Sequence, residues 1–455
     1  MASTRIHRTA GTPTGNKKFT ISFWCKKSGQ TTDQFIFSTF NDANNRTQIS
    51  FNDSDQLDFI CKVSGSNVAR LKTSRKFQDQ SAFYHIVCVF DTTESTNTDR
   101  IKLYINGVRE LAADNGYASE VYPSQDATVD VTGTHTIGAY HNAGSPNLYF
   151  DGILAHVHFT DGYVYQASTF GSTDSTSGIW KPNTAPSVTY GTNGFFLKFE
   201  NSGNLDLDSS NNNHTFTTAG SLTQNNDTPS NVFASWNPNI NNGEDGSWSN
   251  ANLTIAPNGD SFQLYAPITF PLSKGKWYSE HMITGGNGYG SLGLSGASNI
   301  SDIFRIGEEP GLTAPSFAFR CINGGIKMNN ANTSYGSAPG TSDAILGMAV
   351  DIDNKKVWYH VNGTYVTYGG GVGDPANGNY GFDWSSLSDD FGWLHVCGDS
   401  ENNGYGNWKS NFGSGFFGTA AVASANADAN GFGAFEYTVP SGYYAICTKN
   451  IKEFG

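Results

Sequence analysis

Hydrophobic and polar residues alternate over several short segments of the chain, as they do in the strands of half-buried β-sheets. The clearest of these segments near the start are residues 20–25, 82–91 and 100–105. Asn106-Gly107 and Val108 follow the third segment. An Asn-Gly pair between two such segments favours a two-residue hairpin, because both turn residues must adopt positive φ. The pattern therefore predicts antiparallel strands in the first half.

A second set of alternating segments lies near the other end, at residues 344–352, 356–361 and 364–368. Asp353-Asn354 separates the first two segments, and Asn362-Gly363 separates the last two. Turn residues placed between short alternating segments predict a three-stranded meander. The two sets are some 250 residues apart, which favours two separate sandwiches.

Helical periodicity is almost absent, and the most helix-like stretch, residues 420–429, is small and polar. We therefore predict an all-β chain of two antiparallel sandwiches of the jelly-roll type. The predicted domains are residues 1–181 and 247–455. Residues 182–246, rich in Asn, Ser and Pro, are predicted to form a linker with connecting strands.

Composition and charge restrict the function. The chain has 455 residues, with 27 Lys and Arg against 40 Asp and Glu, a net charge of −13. Basic residues adjacent in sequence form pairs, such as Lys17-Lys18 and Lys355-Lys356, and no stripes. We therefore expect no binding to nucleic acid, which depends on Lys and Arg. No apolar segment approaches the length of a membrane-spanning helix, and the polar start indicates no secretory signal.

Six cysteines lie in or beside apolar segments, without Cys-x-x-Cys spacing. They are Cys25, Cys61, Cys88, Cys321, Cys397 and Cys447. Buried thiols behave as small hydrophobic side chains, whereas disulfides need an oxidising compartment. We expect six free, buried thiols.

Four segments of the first half resemble laminin-G-like domains, which are concanavalin A-like sandwiches. The segments are residues 19–24 (FTISFW), 83–87 (FYHIV), 101–107 (IKLYING) and 150–159 (FDGILAHVHF). Their order and spacing imply a concanavalin A-like fold over about residues 1–180.

The second half resembles SPRY domains, which are also concanavalin A-like. The resemblance rests on residues 275–280 (GKWYSE), 346–351 (LGMAVD) and 357–363 (VWYHVNG). It implies that the second sandwich is concanavalin A-like as well.

The middle of the chain and its end are similar to virion proteins of marine bacteriophages. The matching residues are 190–197 (YGTNGFFL), 208–211 (DSSN), 227–231 (DTPSN) and 440–450 (PSGYYAICTKN). Asn211 stands where the usual pattern has glycine. The resemblance implies a homo-oligomeric protein of the virion surface, on the tail or capsid exterior, made in the bacterial cytoplasm. Its partners would be other phage structural proteins.

Catalytic signatures are missing from the sequence. Sandwich glucanases place a Glu-x-Asp-x-x-Glu set on one strand, with carboxylates close enough for retaining chemistry. Here Asp351-x-Asp353 lies at a hairpin end, and Glu308-Glu309 precedes a Pro-Gly turn. No Gly-x-Ser-x-Gly segment has the strand-to-helix context of a nucleophile elbow. We expect no catalytic residues and no enzymatic activity.

Calcium is the one metal that the sequence suggests, and no other cofactor is expected. Asp53, Asp55 and Asp58 lie in a tight polar segment and offer the oxygen ligands that Ca²⁺ prefers. Laminin-G-like domains often hold calcium at a loop rim. The alternative is ordinary turn chemistry, in which each carboxylate accepts hydrogen bonds from nearby backbone.

Two loop-rich segments combine aromatic rings with amides or carboxylates, the groups that bind sugars. The first contains Tyr140, His141, Asn142 and Asn147. The second contains Trp384, Asp390, Trp393, Asn403, Tyr405 and Trp408. Exposed aromatic rings indicate ligand contact. The alternative is that these rings fill the ends of the sandwiches or a subunit interface.

Two roles fit these observations. In the first, the protein is a tail-fibre or appendage component that adheres to host cell-surface carbohydrate. In the second, it is a capsid decoration or knob protein with a purely structural role. The sequence offers no shaft repeat before the first sandwich, which favours the second role.

Overall fold

The computed structural model describes residues 3–30, 32–142, 144–240, 246–257, 265–285, 290–299, 310–313, 315–339, 342–399 and 407–455. The chain forms two compact units, Met1–Gln224 and Asn225–Gly455. Residues 182–224 thus belong to the first unit and the segment from Asn225 to the second. The boundary between the two units, at Gln224 and Asn225, lies inside the segment 182–246 that the sequence predicted as a linker.

The first unit consists of strands, one turn of α-helix, α1 (Ala167–Phe170), and two short 3₁₀ turns. Its strands are β1 (Arg5–Ala10), β2 (Lys18–Lys27), β3 (Gln34–Phe40), β4 (Arg46–Phe51), β5 (Gln56–Val63), β6 (Ser66–Lys76), β7 (Tyr84–Asp91), β8 (Ile101–Ile105), β9 (Val108–Arg109), β10 (Tyr117–Val121), β11 (Gly133–Ile137), β12 (Gly152–Asp161), β13 (Gly171–Thr173), β14 (Trp180–Pro182), β15 (Phe195–Leu197) and β16 (Thr217–Ala219).

Two sheets enclose the core of the first unit. An eight-stranded sheet has the order β10-β6-β5-β4-β3-β11-β1-β16, and a six-stranded sheet has the order β15-β12-β2-β7-β8-β9. The inward side chains are mostly aliphatic or phenylalanine, such as Phe19, Ile49 and Phe59, and each of these is fully buried. Successive residues of a strand face opposite sides, so the alternating positions of β4, β5 and β6 face away from this core.

The hairpin between β8 and β9 has the predicted geometry. Asn106 and Gly107 both adopt positive φ, 49° and 83°. A type I′ turn requires these values, and its twist matches that of the strands. The Asn106 side chain also accepts a hydrogen bond from the backbone N–H of His85.

In the described part of the second unit, strands are also nearly all of the regular secondary structure. They are β17 (Gly246–Ser249), β18 (Thr254–Pro257), β19 (Tyr265–Pro267), β20 (Lys276–Thr284), β21 (Gly290–Gly296), β22 (Ser316–Arg320), β23 (Ile326–Met328), β24 (Ala331–Thr333), β25 (Ser342–Asp351), β26 (Lys356–Val361), β27 (Thr364–Tyr365), β28 (Thr367–Tyr368), β29 (Gly371–Val372), β30 (Phe382–Asp383), β31 (Trp393–Asp399), β32 (Asn407–Asn411), β33 (Phe416–Phe417), β34 (Ala420–Ala421) and β35 (Tyr444–Ala445). The described part of the unit also contains a 3₁₀ turn (Ala297–Asn299) and the C-terminal helix α2 (Thr448–Phe454).

Its main sheet has the order β17-β18-β32-β20-β25-β26-β27, with β30 and β35 added to β26 and β20. The facing sheet has the order β19-β31-β21-β22-β23-β24. The predicted meander is present as β25, β26 and β27, and Asn362 and Gly363 again have positive φ. The β25–β26 loop is one residue longer than predicted, because β25 ends at Asp351, opposite Lys356, and Ile352 belongs to the loop.

The C-terminal segment covers the outer side of the main sheet of the second unit. Tyr278 and Trp358 face outward on β20 and β26, and they pack against Phe435 and Tyr443. This second apolar cluster explains why both sides of these strands are hydrophobic in sequence.

The prediction of two β-sandwiches with little helix is confirmed, with 46% of residues in strands and 5% in helices. The helix-like stretch at residues 420–429 contains β34 and turns, whereas helix α2 was not predicted. Among the described residues, no helix combines the length and the hydrophobicity that crossing a bilayer requires.

Candidate functional site

Four basic residues lie together on the outer side of the eight-stranded sheet. The strand register places Arg46 of β4 opposite Lys62 of β5, and Asp58 of β5 opposite Lys72 of β6. Arg70 lies between these rows, opposite Ile60. Residues directly opposite on neighbouring strands have Cβ atoms about 5 Å apart. We call Arg46, Lys62, Arg70 and Lys72 the basic strip.

One carboxylate lies within the basic strip, and it is already paired. Arg70 donates from Nε and Nη2 to the two oxygens of Asp58, at 3.0 and 2.5 Å. Within the described part of the chain, Lys62 and Lys72 form no ion pair with a carboxylate. The strip therefore carries more positive than negative charge, although the whole chain is acidic.

The pKa values report the same positive environment. Partial burial lowers the pKa of the Lys62 ammonium, and the nearby charges of Arg46 and Arg70 lower it further. Farther along the same face, burial and Arg5 lower the pKa of His7. A negatively charged ligand on this face would relieve the repulsion between these groups.

The loop between β11 and β12 brings an aromatic ring to the edge of the basic strip. The Tyr140 ring packs against Phe35, with centroids 4.7 Å apart, and the Arg46 guanidinium lies 5.6 Å from its centroid. Arg46 Nε also donates to Gln48 Oε1 at 3.0 Å, which holds the guanidinium in place. Tyr140 remains partly exposed beside a fixed cation.

The structure brings the first predicted group of ligand residues together. Tyr140 and Asn147 exchange backbone hydrogen bonds of 2.9 and 3.1 Å across the loop. The backbone N–H of His141 donates to Ser38 Oγ at 3.1 Å, and the His141 ring packs 5.2 Å from Phe40. The side chains of Asn142 and Asn147 are exposed. Partly exposed rings and free amides therefore surround one end of the strip.

The tryptophans of the second predicted group are buried, so the expectation that they lie exposed in loops is wrong. Trp384, Trp393 and Trp408 are 0%, 3% and 1% exposed and belong to the main core. Trp384 and Trp393 pack edge to face with ring centroids 4.6 Å apart. In these positions the rings fill the sandwich, and none can stack on a sugar.

The remaining members of the second group give no site. Asp390 is exposed, but the tryptophans predicted beside it face the core. Asn403 and Tyr405 lie outside the described residues.

The predicted calcium ligands do not converge, which corrects that prediction. Asp55 is buried and pairs with Lys27, which itself lies over the Phe51 ring. Asp58 pairs with Arg70, and Asp53 is exposed at the turn. Among the described residues, no group of three His, Cys, Asp or Glu side chains is arranged to hold a metal ion.

The six cysteines are all buried and free, as the sequence indicated. Burial raises the pKa of the Cys61 thiol to about 12 and raises those of Cys25 and Cys88 as well. Neutral thiols at neutral pH are poor nucleophiles, since the thiolate is the reactive form.

A buried carboxylate with a raised pKa lies under the C-terminal segment of the second unit. Burial raises the pKa of Glu280 to about 7, although its oxygens accept hydrogen bonds from Tyr278 Oη and from the backbone of Glu436 and Tyr437. His360 Nε2 lies 2.6 Å from Tyr278 Oη. Glu280 is 0% exposed, so this chain of hydrogen bonds braces the C-terminal segment and presents no group to a substrate.

The basic strip was not identified from the sequence, where only basic residues adjacent in the chain were considered. Its residues alternate with other residues on successive strands, as Asp58-x-Ile60-x-Lys62 and Arg70-x-Lys72. A search for adjacent basic residues cannot find such a set. The useful signal is period-two placement across the hairpins β4–β5 and β5–β6.

Comparisons with known proteins agree with the fold. Residues 3–169 match the sequence profile of a laminin G family described as the concanavalin A-like lectin/glucanases superfamily. The comparison with curated proteins found no match.

Three solved structures illustrate what this chain is similar to. A human SPRY domain is 20% identical, with 34% of this chain and 89% of that chain covered and a TM-score of 0.25. Domains LG4-5 of the mouse laminin α1 chain are 8% identical over 90% of this chain and 85% of that chain, with a TM-score of 0.29. A Ruminococcus gnavus sialidase CBM40 domain, solved with α2,3-sialyllactose, is 13% identical over 30% and 72%, with a TM-score of 0.23. The match of residues 3–169 to the family profile supports a concanavalin A-like sandwich for the first unit.

Proposed function

We propose that the protein is a non-enzymatic carbohydrate-binding protein of a bacteriophage virion surface. In this proposal the first unit adheres to host cell-surface glycan, and the chain forms part of a tail fibre or similar appendage. The match of residues 3–169 to a lectin-containing superfamily supports the binding role. The virion role rests on the sequence resemblance at residues 190–197, 208–211, 227–231 and 440–450.

The observation that carries the binding role is the setting of Tyr140. Its ring is partly exposed on a loop, packed on one side by Phe35 and accompanied by the Arg46 guanidinium. Aromatic rings bind sugars through their faces, while amides and cations bind hydroxyl or acidic groups. Asn142 and Asn147 supply exposed amides on the same loop.

Replacing Tyr140 tests the proposed site. We expect Tyr140→Ala to weaken binding of the full-length protein to host cells about tenfold, which corresponds to about 1.4 kcal/mol. Tyr163→Ala is the matched control, because Tyr163 is 38% exposed and lies on the segment after β12, away from the loop. Cell binding is measured by fluorescence, and each variant is checked by thermal melting. Equal binding by both variants and the native protein would refute the site.

The structural alternative applies to the second unit. Its tryptophans Trp384, Trp393 and Trp408 are in the core, which favours a structural role for this half of the chain. Locating the chain in an image reconstruction of the whole particle tests the virion role. Density for both sandwiches at the tail supports an adhesin, density on the capsid shell supports a decoration protein, and absence from purified particles refutes both.

A further inference from the structure

We propose that the ligand of the first unit is an anionic glycan, whose carboxylate or sulfate groups bind along the basic strip. This inference rests on the carbohydrate-binding function proposed above and adds the chemical class of the ligand. Its ligand-binding groups are Arg46, Lys62 and Lys72, with the exposed part of Tyr140 contacting a sugar at the edge of the strip.

The distribution of charge between the two units supports a specific positive surface. The first unit contains 17 basic and 20 acidic residues, and the second contains 10 and 20. Most of the excess negative charge is therefore in the second unit. Within the first, the outward positions of β4, β5 and β6 hold five basic residues, the four of the basic strip and Lys76, and one carboxylate, that of Asp58.

Lys62 and Lys72 are cations of the strip that carry no ion pair within the described residues. The carboxylate of Asp58 is occupied by both donors of Arg70. Partial burial removes part of the hydration of the Lys62 ammonium. A less hydrated cation loses less solvation when it pairs with an anion, so a bound carboxylate or sulfate is favoured here.

The spacing of the strip suits an extended chain of sugars. Neighbouring strands are about 4.8 Å apart and successive residues of a strand about 3.3 Å. Lys72 lies opposite Asp58 and Arg46 lies opposite Lys62, so the cations of β4, β5 and β6 extend over about 16 Å. Arg46 and Tyr140 then continue the binding surface toward the exposed amides of Asn142 and Asn147. A polysaccharide with repeated acidic groups can contact several of these cations at once, while a single small anion cannot.

Nucleic acid fits the strip less well. Binding to phosphate backbones needs many cations, because each neutralised phosphate contributes to affinity. The strip offers two unpaired lysines and one arginine in a chain with a net charge of −13. A glycan with fewer charges and apolar sugar faces matches this combination of cations and one aromatic ring more closely.

The experiment compares four immobilised probes against the full-length protein. The probes are hyaluronan (carboxylate), dextran sulfate (sulfate), neutral dextran and single-stranded DNA, and binding is measured by interferometry at low and high salt. We expect binding to one or both acidic glycans, with at least tenfold loss in Lys62→Gln/Lys72→Gln. Lys62→Arg/Lys72→Arg should retain binding. High salt should weaken the interaction, because exposed charges are screened beyond about 8 Å at physiological ionic strength.

Lys449→Gln/Lys452→Gln is the matched control, since it removes two exposed lysines of helix α2 and changes the net charge equally. Equal loss in this variant would show a general charge effect and overturn the proposal. Binding to neutral dextran that the lysine variants do not change would overturn the anionic ligand and leave the carbohydrate-binding function. DNA binding as tight as glycan binding would overturn the ligand class. Failure to bind any of these glycans or intact host cells would overturn both.

Discussion

Individual aromatic and basic positions were the hardest to interpret from the sequence. The segment between Trp393 and Trp408 is rich in Gly, Asn and Asp, and this composition predicted that both tryptophans lie in exposed loops. In the structure each lies in a strand, β31 or β32, and faces the core. Composition near a residue does not determine which side of a strand it occupies. That side depends on register, which distant strands determine.

The burial of Trp408 predicts a large loss of stability when it is truncated. Trp408 is 1% exposed and packs near His281, with ring centroids 6.2 Å apart. Trp408→Ala should lower the free energy of unfolding by about 3–5 kcal/mol, since removal of a core ring leaves a cavity. Chemical denaturation monitored by circular dichroism measures the change.

Phe391→Ala is the control for this measurement, because Phe391 is 72% exposed and should change stability very little. If Trp408→Ala were as stable as this control and only weakened cell binding, Trp408 would be a ligand residue and the structural interpretation of the second unit would fail.

Strands and hairpins were predicted well because their signals are local. Asn106-Gly107 and Asn362-Gly363 fix their turns through positive φ, whatever the rest of the chain does. The interval from 182 to 246 was interpreted as a linker because its apolar residues show no period. In the described residues 182–240, polar side chains hydrogen-bond to backbone and hold the segment in place, and such contacts leave no periodic pattern in a sequence.

Asp208 shows how this segment is ordered. Its carboxylate accepts hydrogen bonds from the backbone N–H groups of Phe196, Ser210 and His214, at 3.0, 2.9 and 2.9 Å. Asp208→Ala leaves these three donors unsatisfied in a buried site. We expect the first unit to lose about 3 kcal/mol or more of stability, since each unsatisfied buried donor costs about 1–3 kcal/mol.

Asp206→Ala is the comparison for Asp208→Ala, because the Asp206 carboxylate accepts a hydrogen bond from the hydroxyl Thr218 Oγ1 at 2.8 Å and none from the three backbone donors that Asp208 binds. Thermal melting of the two variants measures the difference. Equal melting temperatures would mean that the 208–214 loop is not held by Asp208 and that this interval behaves as a linker.

Across the whole molecule, six of the ten histidines lie in the interior, where burial lowers their pKa values: His85, His135, His158, His281, His360 and His395. Burial lowers the pKa of His85 to about 3 and that of His135 to about 4 in the first unit. It lowers those of His395 and His360 to about 3 and 4 in the second. Trp180 Nε1 donates to His85 Nδ1 at 2.9 Å, which requires an unprotonated nitrogen there. Both units are therefore expected to be sensitive to acid.

The sign of the pH dependence follows from linkage between protonation and folding. An unfolded histidine has a pKa of about 6.5, so the stabilisation from keeping it neutral is complete above pH 6.5. It is lost as the pH falls from 6.5 toward the folded values of about 3 and 4. Relative to neutral pH, each buried histidine should lower the free energy of unfolding by about 2 kcal/mol at pH 5.

The second unit should lose less stability on mild acidification than its histidines alone imply, because Glu280 acts in the opposite direction. The folded pKa of Glu280 is raised to about 7, above its ordinary value of 4.5. Its ionised form is therefore penalised above pH 7, and this penalty is relieved as the pH falls toward 4.5. The relief between pH 7 and 5 is about 2 kcal/mol, which offsets about one histidine.

Calorimetry at pH 8 and pH 5 tests this difference in one sample. Each unit has its own core, so we expect two transitions, and Trp408→Ala identifies that of the second unit by lowering it. Among the described residues of the first unit, no buried carboxylate has its pKa raised as far as that of Glu280. The melting temperature of the first unit should therefore fall clearly between pH 8 and pH 5. A transition of the first unit that stays constant or rises over this range would contradict the neutral burial of His85 and His135.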